Sequence, residues 1–122
     1  MKNLLIAFSI SVLFLSQIGC KKTTEDIVDC TLESLLMSMH ANVDPDNLKL
    51  FHFIFDYEGS GEFTLDTEIK WDFGDGTTAT SQGKTIDHTY ANTGAYTAKA
   101  TYKLYKGSDW CSSYITKSIN VN

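Results

Sequence analysis

The chain has 122 residues, 43% of them hydrophobic, with one proline, a formal net charge of −5 at pH 7 and ten basic residues that are all lysine. That length allows one domain, and the apolar content excludes a disordered chain. An acidic molecule without arginine has no bidentate fork for phosphate and repels polyanions, which excludes nucleic acid as a partner.

Residues 1–19 have the layout of a secretory signal peptide. Lys2 gives a positive start, Leu4 to Leu15 is an apolar run too short for a spanning helix, and Ser16 to Gly19 is a short exit. The Ile18-Gly19-Cys20 junction resembles a bacterial lipoprotein box. That resemblance implies cleavage before Cys20 and acylation of its thiol, so that Cys20 becomes a lipidated N-terminus. Gln17 departs from the small residue or leucine usual three positions before the cysteine, and the other reading is an ordinary signal peptide with Cys20 free or disulfide-bonded. Lys21 is not the aspartate that retains some lipoproteins in the inner membrane, so the resemblance implies an outer-membrane or cell-surface location. Residues 20–29 then read as the lipidated cysteine and a short flexible tether, polar and without periodicity.

The domain proper is expected over residues 30–122. Ser34 to Val43 alternates as a strand, with Leu35, Met37, Met39, Ala41 and Val43 on its core face. Asp44-Pro45-Asp46-Asn47 is a turn, its proline set for the first central position. In Leu48 to Tyr57, Phe51, Phe53, Phe55 and Tyr57 share one face, and Leu48, Leu50, His52, Ile54 and Asp56 the other. Apolar bulk on both faces fits a central strand with its outer face partly covered, or an exposed contact patch around Leu50 and Ile54. Glu58 to Glu62 reads as a flexible loop and Phe63 to Asp66 as a short edge strand. Ile69, Trp71 and Phe73 then alternate into Asp75-Gly76, a type I′ hairpin signal, because both central positions of that turn need positive φ. Thr77 to Ser81 and Lys84 to His88 follow. From Ala95 to Tyr105, Tyr96, Ala98, Ala100, Tyr102 and Leu104 line an inner face, the two alanines leaving room for the Trp71 indole. A last hairpin turns at Lys106 to Asp109 and returns from Trp110 to Val121. About seven short strands at regular intervals describe an all-β, immunoglobulin-like sandwich of two antiparallel sheets.

Trp71-Asp72-Phe73-Gly74-Asp75-Gly76, followed by Asp87-His88-Thr89-Tyr90 and then by Gly94-Ala95-Tyr96, resembles the signature of PKD domains, immunoglobulin-like modules, in order and spacing over roughly Thr31 to Asn122. The resemblance implies a structural role for His88 and a packing, hydrogen-bonding role for Tyr90 like that of a tyrosine corner. It implies for function a binding, adhesion or spacer module. In immunoglobulin-like topology the first and last strands run as parallel neighbours, so Cys30 and Cys111 are expected to meet as a disulfide in an exported domain, the alternative being two buried free thiols.

Nothing in the chain has the spacing of a catalytic motif, and the expectation is a protein that is not an enzyme and carries no cofactor. His40, His52 and His88 lie in separate elements without zinc spacing; His40 and His52 on adjacent outer faces are either a shared site or two unrelated side chains. Asp44, Asp46 and Asn47 offer oxygens to calcium but lack the ligand number and glycine spacing of a dedicated loop. Asp72 and Asp75 read as turn formers. Tyr105, Trp110 and Tyr114, with Lys103 and Lys106 beside them, are the candidate contact for an extracellular glycan or envelope protein; equally, Trp110 covers the disulfide from outside. The function expected is non-catalytic binding or adhesion at the cell envelope. The alternative is an accessory subunit of a membrane protein complex, docked through the Leu50/Ile54 face.

Overall fold

Aromatic alternation decides which face of each strand turns inward. In the computed structural model, which describes residues 30–122, the chain forms β1 (Met37–Val43), β2 (Leu50–Tyr57), β3 (Thr64–Leu65), β4 (Glu68–Asp72), β5 (Thr78–Gln82), β6 (Thr85–Thr89), β7 (Gly94–Lys106) and β8 (Asp109–Val121). The signal peptide, Cys20 and the tether lie outside the described residues. Strand β2 is the centre of a three-stranded antiparallel sheet, β1-β2-β6. In the five-stranded sheet the long β7 pairs with β8 along its whole length on one side, and with β4 and then β3 on the other; β5 completes the sheet beyond β4. The two sheets face each other as an immunoglobulin-like β-sandwich.

The core is the sum of the inward faces. Met37, Met39, Phe51, Phe53 and Phe55 from one sheet meet Ile69, Trp71, Phe73, Ala98, Ala100, Tyr102, Leu104, Ile119 and Val121 from the other, all buried. Trp71 lies in register with Ala100 on one side and Ala79 on the other, so small neighbours flank the indole. Its ring meets Phe53 at 5.9 Å across the sandwich, and its Nε1–H donates to Ser81 Oγ at 2.8 Å. Ser81 passes its own proton to the Gly83 carbonyl at 2.8 Å, so the buried indole leaves no donor unpaired.

Five expectations are corrected. Val43, expected on the core face, is exposed at the end of β1, and the strand begins at Met37, not Ser34: residues 30–34 form a helical turn, and Leu35, expected on the core face, is exposed. The cause is Glu33, whose carboxylate is drawn into the body, where it accepts hydrogen bonds from Tyr57 Oη, Ser60 N–H and Ser60 Oγ. The same contacts pin the Glu58 to Glu62 loop that the sequence presents as flexible. The turn after β4 is wider than a two-residue type I′ turn. Phe73 N–H donates to the Thr77 carbonyl at 3.1 Å, and both Gly74 (φ 80°) and Gly76 (φ 89°) take left-handed conformations. Finally, β1 and β8 belong to different sheets instead of pairing as neighbours in one.

Candidate functional site

The aspartates of the W-D-F-G-D-G stretch act first on their own backbone. Asp72 Oδ1 accepts from Gly74 N–H at 3.0 Å, and Asp75 Oδ1 from Thr77 N–H at 3.0 Å and Thr77 Oγ1 at 2.6 Å. Asp75 Oδ2 then takes His88 Nε2 at 2.8 Å, with both side chains mostly buried. The His88 ring stacks on Phe73 at 3.8 Å with an interplanar angle of 3°, and Tyr90 stands edge-on to it. Tyr90 is buried and donates its hydroxyl to the Phe73 carbonyl at 2.9 Å. Its ring also stacks on Tyr96 at 4.6 Å. Burial opposes ionisation of Asp75, but hydrogen bonds from Thr77 and His88 outweigh it and hold the carboxyl below its ordinary range. Phe73, Asp75, His88, Tyr90 and Tyr96 therefore form one internal lock between the end of β4, β6 and the start of β7.

Gly94 (φ 148°) opens β7 beside the Tyr96 ring. Gly74 has the sharper requirement, since a Cβ there would stand 2.5 Å from the Thr97 carbonyl oxygen.

The Asp44 to Asn47 turn is likewise spent on itself. Asp44 Oδ1 accepts from Asp46 N–H at 2.9 Å and Asn47 N–H at 3.0 Å, and Asn47 Oδ1 from Lys49 N–H at 3.2 Å. Asp44 Oδ2 faces His52 Nε2 at 3.2 Å, while His52 Nδ1 meets Asp87 Oδ1 at 2.7 Å. Hydrogen bonds to Asp87 and then Asp44 raise the His52 pKa. The backbone bond from Asp46 and the contact with His52 lower that of Asp44. His40 pairs separately with Asp56 at 3.4 Å, so the two histidines share no site. Among the described residues no three His, Cys, Asp or Glu side chains converge as a metal cluster.

The outer face of the three-stranded sheet is divided by this ion group. Ile54 lies between His40 and Thr85 in register, and the next outward residue of β2 is His52, between Asn42 and Asp87. Leu50 and Ile54 are half-buried, on either side of a charged cluster, and do not make a flat apolar surface.

Tyr105, Trp110 and Tyr114 do come together, on a sheet face. Tyr105 is the cross-strand partner of Trp110, and Thr101 that of Tyr114, so the pairing of β7 with β8 turns all three rings onto the outer side of the five-stranded sheet. Trp110 is 57% exposed and Tyr114 64%. Lys103 Nζ stands 5.1 Å from the Trp110 ring centroid and Lys99 Nζ 5.8 Å from that of Tyr114, two cation–π pairs spaced four residues apart along both strands. Four residues of extended strand span about 13 Å. Next to them a shallow open depression is lined by Lys70, Asp72, Thr78, Thr80, Lys99 and Thr101. Lys106 is directed the other way, to Glu62 at 3.0 Å and over the Phe63 ring. Lys103 stands beside the rings, where the sequence reading put it; Lys99 and the threonines of the depression were missed, because only strand register brings them there.

Cys30 and Cys111 are joined as a disulfide, with a Cα–Cα distance of 6.7 Å and 81 residues of sequence separation. The bridge ties the helical turn ahead of β1 to β8 and so crosses from one sheet's entry to the other sheet. Glu33, the buried carboxylate of that turn, was not legible in advance. Burial pushes its pKa up, but the bonds from Tyr57 and Ser60 prevail and hold it below the usual range.

Comparison with known proteins agrees with this geometry. The family model that matches is the PKD domain, over residues 39–119. Among solved structures, the PKD1 domain of Vibrio anguillarum Epp is similar, with a TM-score of 0.50 and 18% identity, covering 70% of this chain and 92% of that one. No curated protein matches the sequence.

Proposed function

The chain belongs to the PKD domain family, and from that premise we propose that it is a non-catalytic binding module of the bacterial cell envelope, held to a membrane through lipid on Cys20. Its ligand is an extracellular glycan or envelope protein. The observation that carries the reading is the gathering of Tyr105, Trp110 and Tyr114 on one outer sheet face. Rigid, exposed rings offer flat apolar area at small entropic cost, and the lysines over Trp110 and Tyr114 add charges that orient a partner. The lock around Asp75 and His88 is closed, so the family's best-marked residues serve the fold and leave recognition to the sheet surface.

The accessory-subunit reading would use the face around Leu50 and Ile54. There, His52 and its two carboxylate partners interrupt the apolar surface, which favours the β7–β8 face instead. The Ile18-Gly19-Cys20 junction supports lipid attachment, and Lys21 supports an outer-membrane or cell-surface destination.

The test is binding to immobilised extracellular glycans and envelope proteins by wild type, Trp110→Ala and Tyr114→Ala. Each substitution is expected to weaken binding at least about ten-fold, the loss of a single aromatic anchor, with little change in the unfolding midpoint. A Trp110→Ala protein that loses stability and keeps its binding would show instead that the indole only covers the disulfide.

A further inference from the structure

The pole of the sandwich at which the described chain begins carries an apolar surface that the binding face does not use. Leu32 is 58% exposed, Leu35 75% and Leu36 44%, all within the short stretch between Cys30 and β1. These side chains cannot fold back onto the domain, because the stretch is fixed at both ends. Cys30 is bonded to Cys111, and Glu33 is buried among Tyr57 and Ser60. Leu36 is held by its carbonyl, which accepts from Glu58 N–H. A segment anchored this firmly, with its leucines turned out, has been built to present them. It also lies ahead of residue 39, where the match to the family model begins.

What covers the leucines is indicated by the chain that precedes them. Nine residues separate Cys30 from Cys20, and at about 3.5 Å per residue their reach is roughly 35 Å. With Cys20 acylated, this pole is where the domain is tied to the bilayer. We propose that the turn of residues 30–36 seats the domain on the lipid surface, with Leu32, Leu35 and Leu36 inserted at the boundary between headgroups and acyl chains. The proposal rests on the lipid attachment put forward above. Three leucines bind a bilayer weakly by themselves, but a short tether raises their effective concentration at the surface and makes the insertion intramolecular.

The experiment uses the full lipidated protein in phosphatidylcholine vesicles, with Leu35→Trp placed in a Trp110→Phe background so that the only other indole is the buried Trp71. Lipids brominated near the headgroup end of the acyl chains are expected to quench the added indole at least two-fold, and aqueous acrylamide to quench it little. The Trp110→Phe protein alone is expected to respond to neither. Quenching by acrylamide and not by brominated lipid overturns the proposal. Protection from both, in vesicles that hold only this protein, also overturns it and assigns the leucines to a contact between copies. Mass spectrometry of the N-terminal peptide reads the attachment separately: no acyl chain on Cys20 removes the anchor and the proposal with it, whereas an acylated protein without lipid quenching removes only the seating.

Discussion

Asp75 and His88, thirteen residues apart, meet at 2.8 Å beneath a ring stack in which His88 lies parallel to Phe73 at 3.8 Å. The pair closes the turn after β4 onto β6. Removing one partner leaves the other mostly buried without its hydrogen bond, at a cost of about 1–3 kcal/mol. His88→Ala and Asp75→Asn are expected to fall in that range by urea unfolding. A carboxyl whose folded pKa is depressed contributes stability that is present above its ordinary value of 3.8 and is lost as pH falls through the lower folded value. Wild type is therefore expected to lose stability more steeply than Asp75→Asn as acid is added below about pH 4. Equal slopes would mean that Asp75 carries no such linkage.

Trp71 fills the centre of the sandwich between Ala79 and Ala100. Trp71→Ala is expected to destabilise by about 3–5 kcal/mol, through lost transfer energy and the cavity that remains. Trp71→Phe restores much of the volume but removes the indole donor to Ser81, which keeps its own bond to Gly83, so a smaller loss is expected, measured by chemical denaturation with the same slope against denaturant.

The inward faces were readable because period-two alternation is strict where one side is buried: Phe51, Phe53 and Phe55, and the run from Tyr96 to Leu104, fall where the pattern puts them. The start of β1 was not. Leu35 continues the alternation of Met37 and Met39, yet Glu33 and Cys30 hold the preceding segment through partners 24 to 81 residues away, and tertiary contacts of that range leave no local signal. The contact face was half readable. Its rings are visible as exposed-type aromatics near a hairpin, but their placement on one surface with Lys99 and Lys103 follows from strand register.

The Cys30–Cys111 bridge closes a long loop, and such a loop contributes at most about 4–5 kcal/mol by restricting the unfolded chain. Reduction, or Cys30→Ser with Cys111→Ser, is expected to lower the thermal midpoint by several degrees while leaving the sheet spectrum unchanged. An oxidised domain whose two thiols both alkylate would contradict the bridge.

His52 sits between Asp44 and Asp87, and both raise its pKa. A raised histidine contributes stability that is fully present below its ordinary value of 6.5 and is lost as pH climbs through the folded value. Unfolding midpoints of wild type are expected to decline across that window, and those of His52→Gln to stay flat through it. Titration of the His52 ring proton shifts by NMR gives the folded pKa directly; a value at or below the ordinary one would remove the linkage.

Gly74 combines positive φ with a close approach to the Thr97 carbonyl. Gly74→Ala is expected to cost on the order of 2–4 kcal/mol, from backbone strain together with the forced shift of β7. Gly76→Ala, with open space around its Cβ position, should pay only the strain. Comparable losses at the two positions in denaturant melts would show that the Thr97 contact does not matter.

The disulfide also sets how the domain transmits force. A pull on the chain ahead of Cys30 enters β8 through a covalent bond and spreads along the thirteen-residue ladder that β8 shares with β7. It bypasses β1, which such a load would otherwise peel from β2 one hydrogen bond at a time. A ligand dragging on Trp110 or Tyr114 loads the same two strands. A load applied at Cys30 and taken off at Trp110 or Tyr114 would therefore run through β8 and its pairing with β7 rather than through the contacts between the sheets.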